Sequence, residues 1–284
     1  GEPVIPRTAP FEAVAAFSGG VDSAYTVWTH SQGLRGHRSH AIRACVMVHG
    51  FDIPLEEEGM FRYAFERAEA VTRSLGIPLF PVRTNYRVLY RRGWKHMHGL
   101  ALAAALQQFK GIAGTALLAA SAAYDFPLGA WGSSAAVDHL YAGGGFRFIH
   151  DGAAVQRRAK CLAIAEWEAG YNGLRVCWEG PDPSRNCGRC EKCLRTLIDC
   201  MLLDLAPPAS LPPEPDIDAV RAMTFTPGIG EHAWGMRLAA ADEKGIRAPW
   251  VDVVRERLGN PRPERFMKRL KHALFPNRKK GKRG

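Results

Sequence analysis

Short apolar runs alternate with longer stretches in which apolar residues return every three or four positions. Val14–Phe17, Ala41–Val48, Leu79–Val82 and Ile112–Ala120 are the runs, each of a length that suits a buried strand. Between them, helices are predicted at about Asp22–His30, Glu57–Leu75 and Trp94–Phe109. The second is the clearest: Phe61, Ala64, Phe65, Ala68, Val71 and Leu75 share one face, and Gly76 follows its end. Strand–helix alternation predicts an α/β fold, a parallel sheet with helices on both faces. In such sheets ligands sit at the carboxyl ends of the strands. That places Ser18–Ser23, His49–Asp52 and Ser121–Asp125 along one edge.

The first strand runs directly into Ser18-Gly19-Gly20-Val21-Asp22-Ser23 and then into a helix. Adjacent glycines let the backbone take positive φ and approach a ligand closely. Unpaired N–H groups at the helix start lie at the positive end of its dipole and form an anion site. Ser18 and Ser23 add hydroxyl donors, and Asp22 can hold a magnesium ion beside phosphates. No Gly-Lys-Ser/Thr follows, so this is not a Walker loop. The six residues resemble the PP-loop of the N-type ATP pyrophosphatases. That resemblance implies a HUP-type fold and ATP cleaved between its α and β phosphates. It also implies an acidic residue after the fourth strand, where Asp125 stands, that helps bind metal and pyrophosphate; a surface-loop aspartate is the other reading. Gln156–Ala165 resembles a later family helix that begins with basic residues. Arg157, Arg158 and Lys160 either stabilise the leaving pyrophosphate or form a solvated helix face. His96 and His98 do not share a helix face, so a metal pair is not expected; a capping or surface role is the first reading, and one of them lining the substrate pocket is the other.

Seven cysteines occur, and four fall in the spacing Cys177-x9-Cys187-x2-Cys190-x2-Cys193. Pro181, Pro183 and Gly188 supply turns that can gather thiolates. Four thiolates satisfy tetrahedral zinc with no position left open, so the metal is expected to be structural. Cys190 and Cys193 would lie at a helix start, followed by Leu194, Leu197, Ile198 and Met201 on one docking face. An iron–sulfur cluster fits less well, because the spacing is tighter and no Pro follows Cys193. Cys200 as fourth ligand would lie about 10 Å beyond Cys193 by helix rise. A redox pair leaves two of the four thiols unexplained. Cys45, Cys161 and Cys200 read as small buried hydrophobes.

With the loop near one end and Cys177…Cys187-Gly188-x-Cys190-x-x-Cys193-x-Arg195 further on, the chain from Val14 to Leu205 resembles the 7-cyano-7-deazaguanine synthase family. That family adenylates a carboxylate, adds ammonia, and repeats on the amide. Three departures point to a relative with a different acceptor. The second strand is followed by His49-Gly50-Phe51-Asp52-Ile53-Pro54, the Ser121–His150 region is long and Gly-rich, and residues 206–284 extend past the cysteines.

Charge changes the picture only at the end of the chain. The net charge is +10, but twelve of the 38 Lys/Arg and two of the 28 Asp/Glu lie from Arg255 to Gly284. The remainder holds 26 of each sign, so the body is neutral and the tail basic. Arg265–Phe275 reads as a basic amphipathic helix. The segment 265–283 could contact RNA, an anionic membrane surface or an acidic protein, or serve only as a solubilising end. The opening residues hold no apolar signal-like core, an odd cysteine count argues against a disulfide framework, and no run approaches a membrane span. A cytoplasmic location and a homo-oligomer are expected.

The expected organisation is a pyrophosphatase-type domain over 10–170, a zinc unit over 171–205, and a Pro-rich linker, helical extension and tail over 206–284. Short helices are predicted at Ile217–Met223, His232–Glu243 and Val251–Leu258. The expected activity is ATP-dependent adenylation of a small-molecule or macromolecular carboxylate or amide, with ATP, magnesium and zinc. Two rivals remain. One is sulfur transfer, with tRNA among its acceptors, for which Cys161 is the thiol to test. The other is a non-catalytic nucleotide- or nucleic-acid-binding module.

Overall fold

The computed structural model describes residues 11–90, 93–125, 131–177, 179–225 and 228–259. The basic segment 265–283 lies outside the described residues. The strands are β1 Glu12–Ala16, β2 Ala41–His49, β3 Leu79–Arg83, β4 Thr115–Ala119 and β5 Arg147–Asp151. They form one five-stranded, all-parallel sheet in the order β3-β2-β1-β4-β5. The first helices are α1 Val21–Ser31, α2 Glu58–Arg73, α3 Tyr86–Leu89 and α4 Trp94–Leu106. Then come α5 Arg157–Ala165, α6 Glu168–Asn172 and α7 Glu191–Leu202, followed by α8 Ile217–Ala222, α9 Ile229–Glu243 and α10 Pro249–Arg257.

β1 is central, and its small residues are buried on both faces. Ala13, Ala15 and Phe17 pack with residues of α1, α2, α5 and α7, while Val14 and Ala16 pack with Ala103 and Leu106 of α4. Helices therefore cover both faces, as the alternation predicts. From β1 the chain moves outward through β2 to β3, then returns to lay β4 and β5 on the other side. This reversal opens a crevice beyond the carboxyl ends of β1 and β4.

Most boundaries fall within a few residues of the sequence reading. The fifth strand was not predicted, since Arg147, His150 and Asp151 interrupt the apolar signal of Phe148 and Ile149. The helix predicted to Phe109 ends at Leu106 and tightens into one 3-10 turn, Gln107–Phe109. The letters of Leu174–Trp178 make a short strand-like run, but its described part, Leu174–Cys177, joins no sheet. The amides of Val176 and Cys177 instead donate to Asn186 Oδ1 at 2.8 and 3.1 Å. Trp178, the last residue of that run, lies outside the described residues.

Helix α7 has two buried sides. Cys193, Leu197 and Cys200 join the main core, and Leu194, Ile198 and Leu202 join a second core with Val220, Trp234, Trp250 and Val254 of α8–α10. The predicted linker from Ala206 is extended but fastened. Ala206 O accepts from Tyr171 Oη at 2.7 Å, Ser210 O accepts from Asn186 Nδ2 at 3.0 Å, and Leu211 is buried. Among the described residues, no helix is long and apolar enough to cross a membrane.

Candidate functional site

The glycine loop sits at the crevice where the strand order reverses. Gly19 has φ +78°, its carbonyl accepts from Arg175 N at 2.8 Å, and an added Cβ would meet Arg175 Cβ at 3.4 Å. A side chain there would be strained by the backbone, while its contact with Arg175 would be an ordinary one. Gly20 is the N-cap of α1 with no side-chain cap, so the first amides of α1 are left for an anion. Val21 is buried and anchors the turn, while Ser23 Oγ donates to Gly20 O at 3.0 Å. Ser18, Asp22 and Ser23 face a cavity of about 890 Å³, within the range of small-molecule sites.

Asp22 is gripped by two cations from α5. Lys160 Nζ lies 2.9 Å from its Oδ1 and Arg157 Nη1 lies 3.2 Å from its Oδ2. Lys160 also donates to Ala120 O at 2.6 Å and is 1% exposed. The solvated-face reading is thus excluded for Lys160; Arg158 is half-buried on the cavity wall. Burial pushes the Asp22 carboxyl up, but Arg157 and Lys160 outweigh it and hold its pKa below the ordinary carboxylate value. Asp125 stands apart. It is exposed, outside the cavity wall, and accepts from Gln156 Nε2 at 2.7 and 2.6 Å. The second carboxylate on the wall is Asp52, just past β2.

Several wall residues carried no clear sequence signal. Arg175 ties the loop to the cysteine unit: its Nε donates to Ser18 O at 3.2 Å and its Nη1 to Pro183 O at 2.7 Å. Phe51, Trp94, His98 and Trp131 form an apolar and aromatic side of the cavity. His98 is half-buried and takes the pocket-lining position, and burial pushes its pKa down. Gly99 and Gly132 make this side possible, because a Cβ on Gly99 would meet Gly132 O at 1.8 Å. Opposite lie Lys192 and Arg195 of α7 and Arg237 of α9. Lys192 and Arg195 flank Cys193, a position the sequence does mark; Arg237 had no such flag.

The four cysteines are gathered as their spacing predicts. Their sulfurs all lie within 4.8 Å of one another, and Cys190 Sγ is 3.7 Å from Cys177 Sγ and 3.5 Å from Cys193 Sγ. Tetrahedral zinc with bonds of about 2.3 Å sets sulfurs about 3.8 Å apart. The donor set therefore fits a metal ion such as zinc. Burial pushes the Cys187 thiol up, and amides of Arg189 and Cys190, donating to its Sγ at 3.4 and 3.2 Å, offset part of that rise. The thiol of Cys193 beside Cys190 pushes the latter's pKa down. Gly180 is required by contact, since an added Cβ would lie 2.9 Å from Cys187 Cβ. Cys190 is the N-cap of α7, so the cluster fixes the start of the helix that carries Lys192 and Arg195. Cys161 and Cys45 are fully buried, with thiols pushed far up by burial, and Cys200 accepts from Tyr171 Oη at 3.1 Å. A buried, protonated thiol is a poor nucleophile.

The fold and site define an α/β protein with a glycine-loop cavity and four cysteines placed to hold a metal ion. Comparison of the chain with protein-family models, curated proteins and solved structures found no match.

Proposed function

We propose that the chain is an ATP-dependent adenylating enzyme of the PP-loop ATP pyrophosphatase type. The observation that carries this reading is the convergence on one helix start. The uncapped N-terminus of α1, Asp22, Lys160 and Arg157 all meet at the mouth of a cavity sited where an α/β sheet binds ligands. A strand-to-helix turn with only a structural role has no need of a buried lysine and an arginine on its first acid.

Ser18–Ser23 hold the β and γ phosphates through backbone amides and hydroxyls. Asp22 would hold magnesium, whose chemistry is to shield the charge of the phosphates. A carboxylate or amide oxygen of the acceptor attacks the α-phosphorus, and the α–β anhydride bond breaks. Its electron pair leaves with pyrophosphate, where Lys160 and Arg157 meet the growing charge. A nitrogen nucleophile then adds to the activated carbon, loses a proton to water, and expels AMP. The residues near the reacting atoms position and neutralise; none is needed as a covalent carrier. The aromatic side at Phe51, Trp94 and Trp131 suits a flat ring, either of the nucleotide or of the acceptor. The burial of Cys161 favours nitrogen over sulfur transfer.

The direct test is pyrophosphate release from ATP and magnesium across a panel of carboxylic acids. Release with at least one acid, lost in Asp22→Ala while circular dichroism stays native, is the expected result. Products of ADP and orthophosphate, or retained turnover in Asp22→Ala, would remove the reading.

A further inference from the structure

Charge on the cavity wall is lopsided away from the glycine loop. Asp22 already meets Arg157 and Lys160, and Asp52 faces Arg175 at 3.7 Å. At the α7–α9 end the wall carries Arg195 and Arg237 and no carboxylate. Arg237 is 3% exposed. Its Nη2 meets Asp199 Oδ2 at 2.5 Å, its Nη1 donates to Ala233 O at 2.8 Å, and its Nε is buried without a partner. Arg195 repeats the pattern: its Nε is buried and unpartnered, and Glu191 lies 3.7 Å from its Nη1, beyond hydrogen-bond range. Asp199 also has an unpartnered oxygen, Oδ1, but this residue lies behind the wall rather than on it.

Two guanidiniums on one cavity wall, Arg237 buried and Arg195 part-exposed, repel each other, and a buried N–H left unpaired is costly. An anionic group against this part of the wall would offset the repulsion. Guanidinium groups recognise carboxylate and phosphate with paired N–H donors.

We propose that the α7–α9 end of the cavity is a subsite for a second anionic group on the acceptor, a carboxylate or a phosphate, held by Arg195 and Arg237. The word acceptor rests on the adenylation reading; the anion subsite itself does not. The C-terminal helices then complete the site, because α9 supplies Arg237 together with Ile229, Ala233 and Met236 of the wall.

The test uses the full chain with the glycine loop saturated by pyrophosphate and magnesium. Inorganic phosphate and malonate are titrated in separate arms by calorimetry. The expected result is that one of them binds while pyrophosphate stays bound, and that Arg195→Gln weakens it roughly tenfold or more. Pyrophosphate affinity in that variant should move by less than about twofold, as for an independent site. Phosphate binding the tighter assigns a phosphorylated acceptor, and malonate a second carboxylate. The double variant Asp199→Leu/Arg237→Met removes the buried pair as a unit and should show the same loss. The subsite is refuted if neither anion binds, or if both variants bind as the wild type does. If pyrophosphate does not bind, the adenylation reading fails, and the two arms are scored without it.

Discussion

Lys160 Nζ lies 2.9 Å from Asp22 Oδ1, although 138 positions separate them in the chain. On the adenylation reading, the cation proposed for the leaving pyrophosphate is thus paired with the acid proposed for the metal. Lys160→Met should lower pyrophosphate release by about 10²-fold or more, through kcat, because a preorganised charge facing the leaving group is lost. Asp22→Asn should destabilise the fold by about 3 kcal/mol, since two largely buried cations then lack their counter-charge. Urea unfolding of the two variants separates the effects.

Metal content is the second expectation. Purified chain should carry about one zinc per molecule, held by Cys177, Cys187, Cys190 and Cys193. Chelation, or Cys190→Ser, should lower the melting temperature and also impair ligand binding. The second effect follows from geometry: the cluster caps α7, and α7 carries Lys192 and Arg195 into the cavity. Metal analysis, thermal melts and calorimetry with phosphate and malonate, the probes of the α7–α9 end of the cavity, check both. Chelated protein that binds and melts like the untreated chain would refute a structural metal.

Acid stability should depend on Asp151. Burial raises its pKa, but His30 beside it and then Arg35 outweigh burial and bring it from 3.8 to about 2. Arg35 Nη2 lies 2.9 Å and His30 Nε2 3.4 Å from the carboxylate, and Thr26 Oγ1 donates to it at 2.8 Å. The folded form holds its proton more weakly than the unfolded form. The stabilisation is therefore complete above the unfolded pKa and is lost as pH falls from about 4 toward 2. It amounts to about 2 kcal/mol. Asp151→Asn should remove that part of the acid limb and lower stability at neutral pH, as read from urea midpoints across pH.

The Asp199–Arg237 pair makes a prediction about the lobe formed by α8–α10. Both side chains are almost fully buried, at 0% and 4% exposure. Arg237→Met alone should cost about 3–5 kcal/mol by stranding a buried carboxylate. Asp199→Leu/Arg237→Met should recover most of that loss, because no unpaired charge remains. Denaturation of the single and double variants measures the coupling.

Much of the fold was legible in the letters because local patterns dictate it. Apolar runs such as Val14–Phe17 and Ala41–Val48 become strands wherever they are buried on both faces. The face at Phe61, Ala64 and Ala68 becomes a helix because its period is helical. The glycine loop and the cysteine spacing were likewise readable, since Gly19 needs positive φ and four thiols close in sequence need only short turns to meet. β5 was not readable, because its polar residues find partners through the fold: Asp151 with Thr26 and Arg35, His150 with Asp138 at 2.7 Å.

By itself, then, the sequence determined the parallel α/β plan, the anion-ready turn and the four-thiol set, each written within a few neighbouring residues. Tertiary structure alone decided which charges meet. It brought Lys160 to Asp22, left Asp125 with Gln156, turned His98 and Trp131 onto one wall, and set Arg237 opposite the cluster-capped helix. The physical reason is range. Periodicity and turn chemistry act over a few residues, whereas the pairing of buried charges depends on where distant helices come to rest against the sheet.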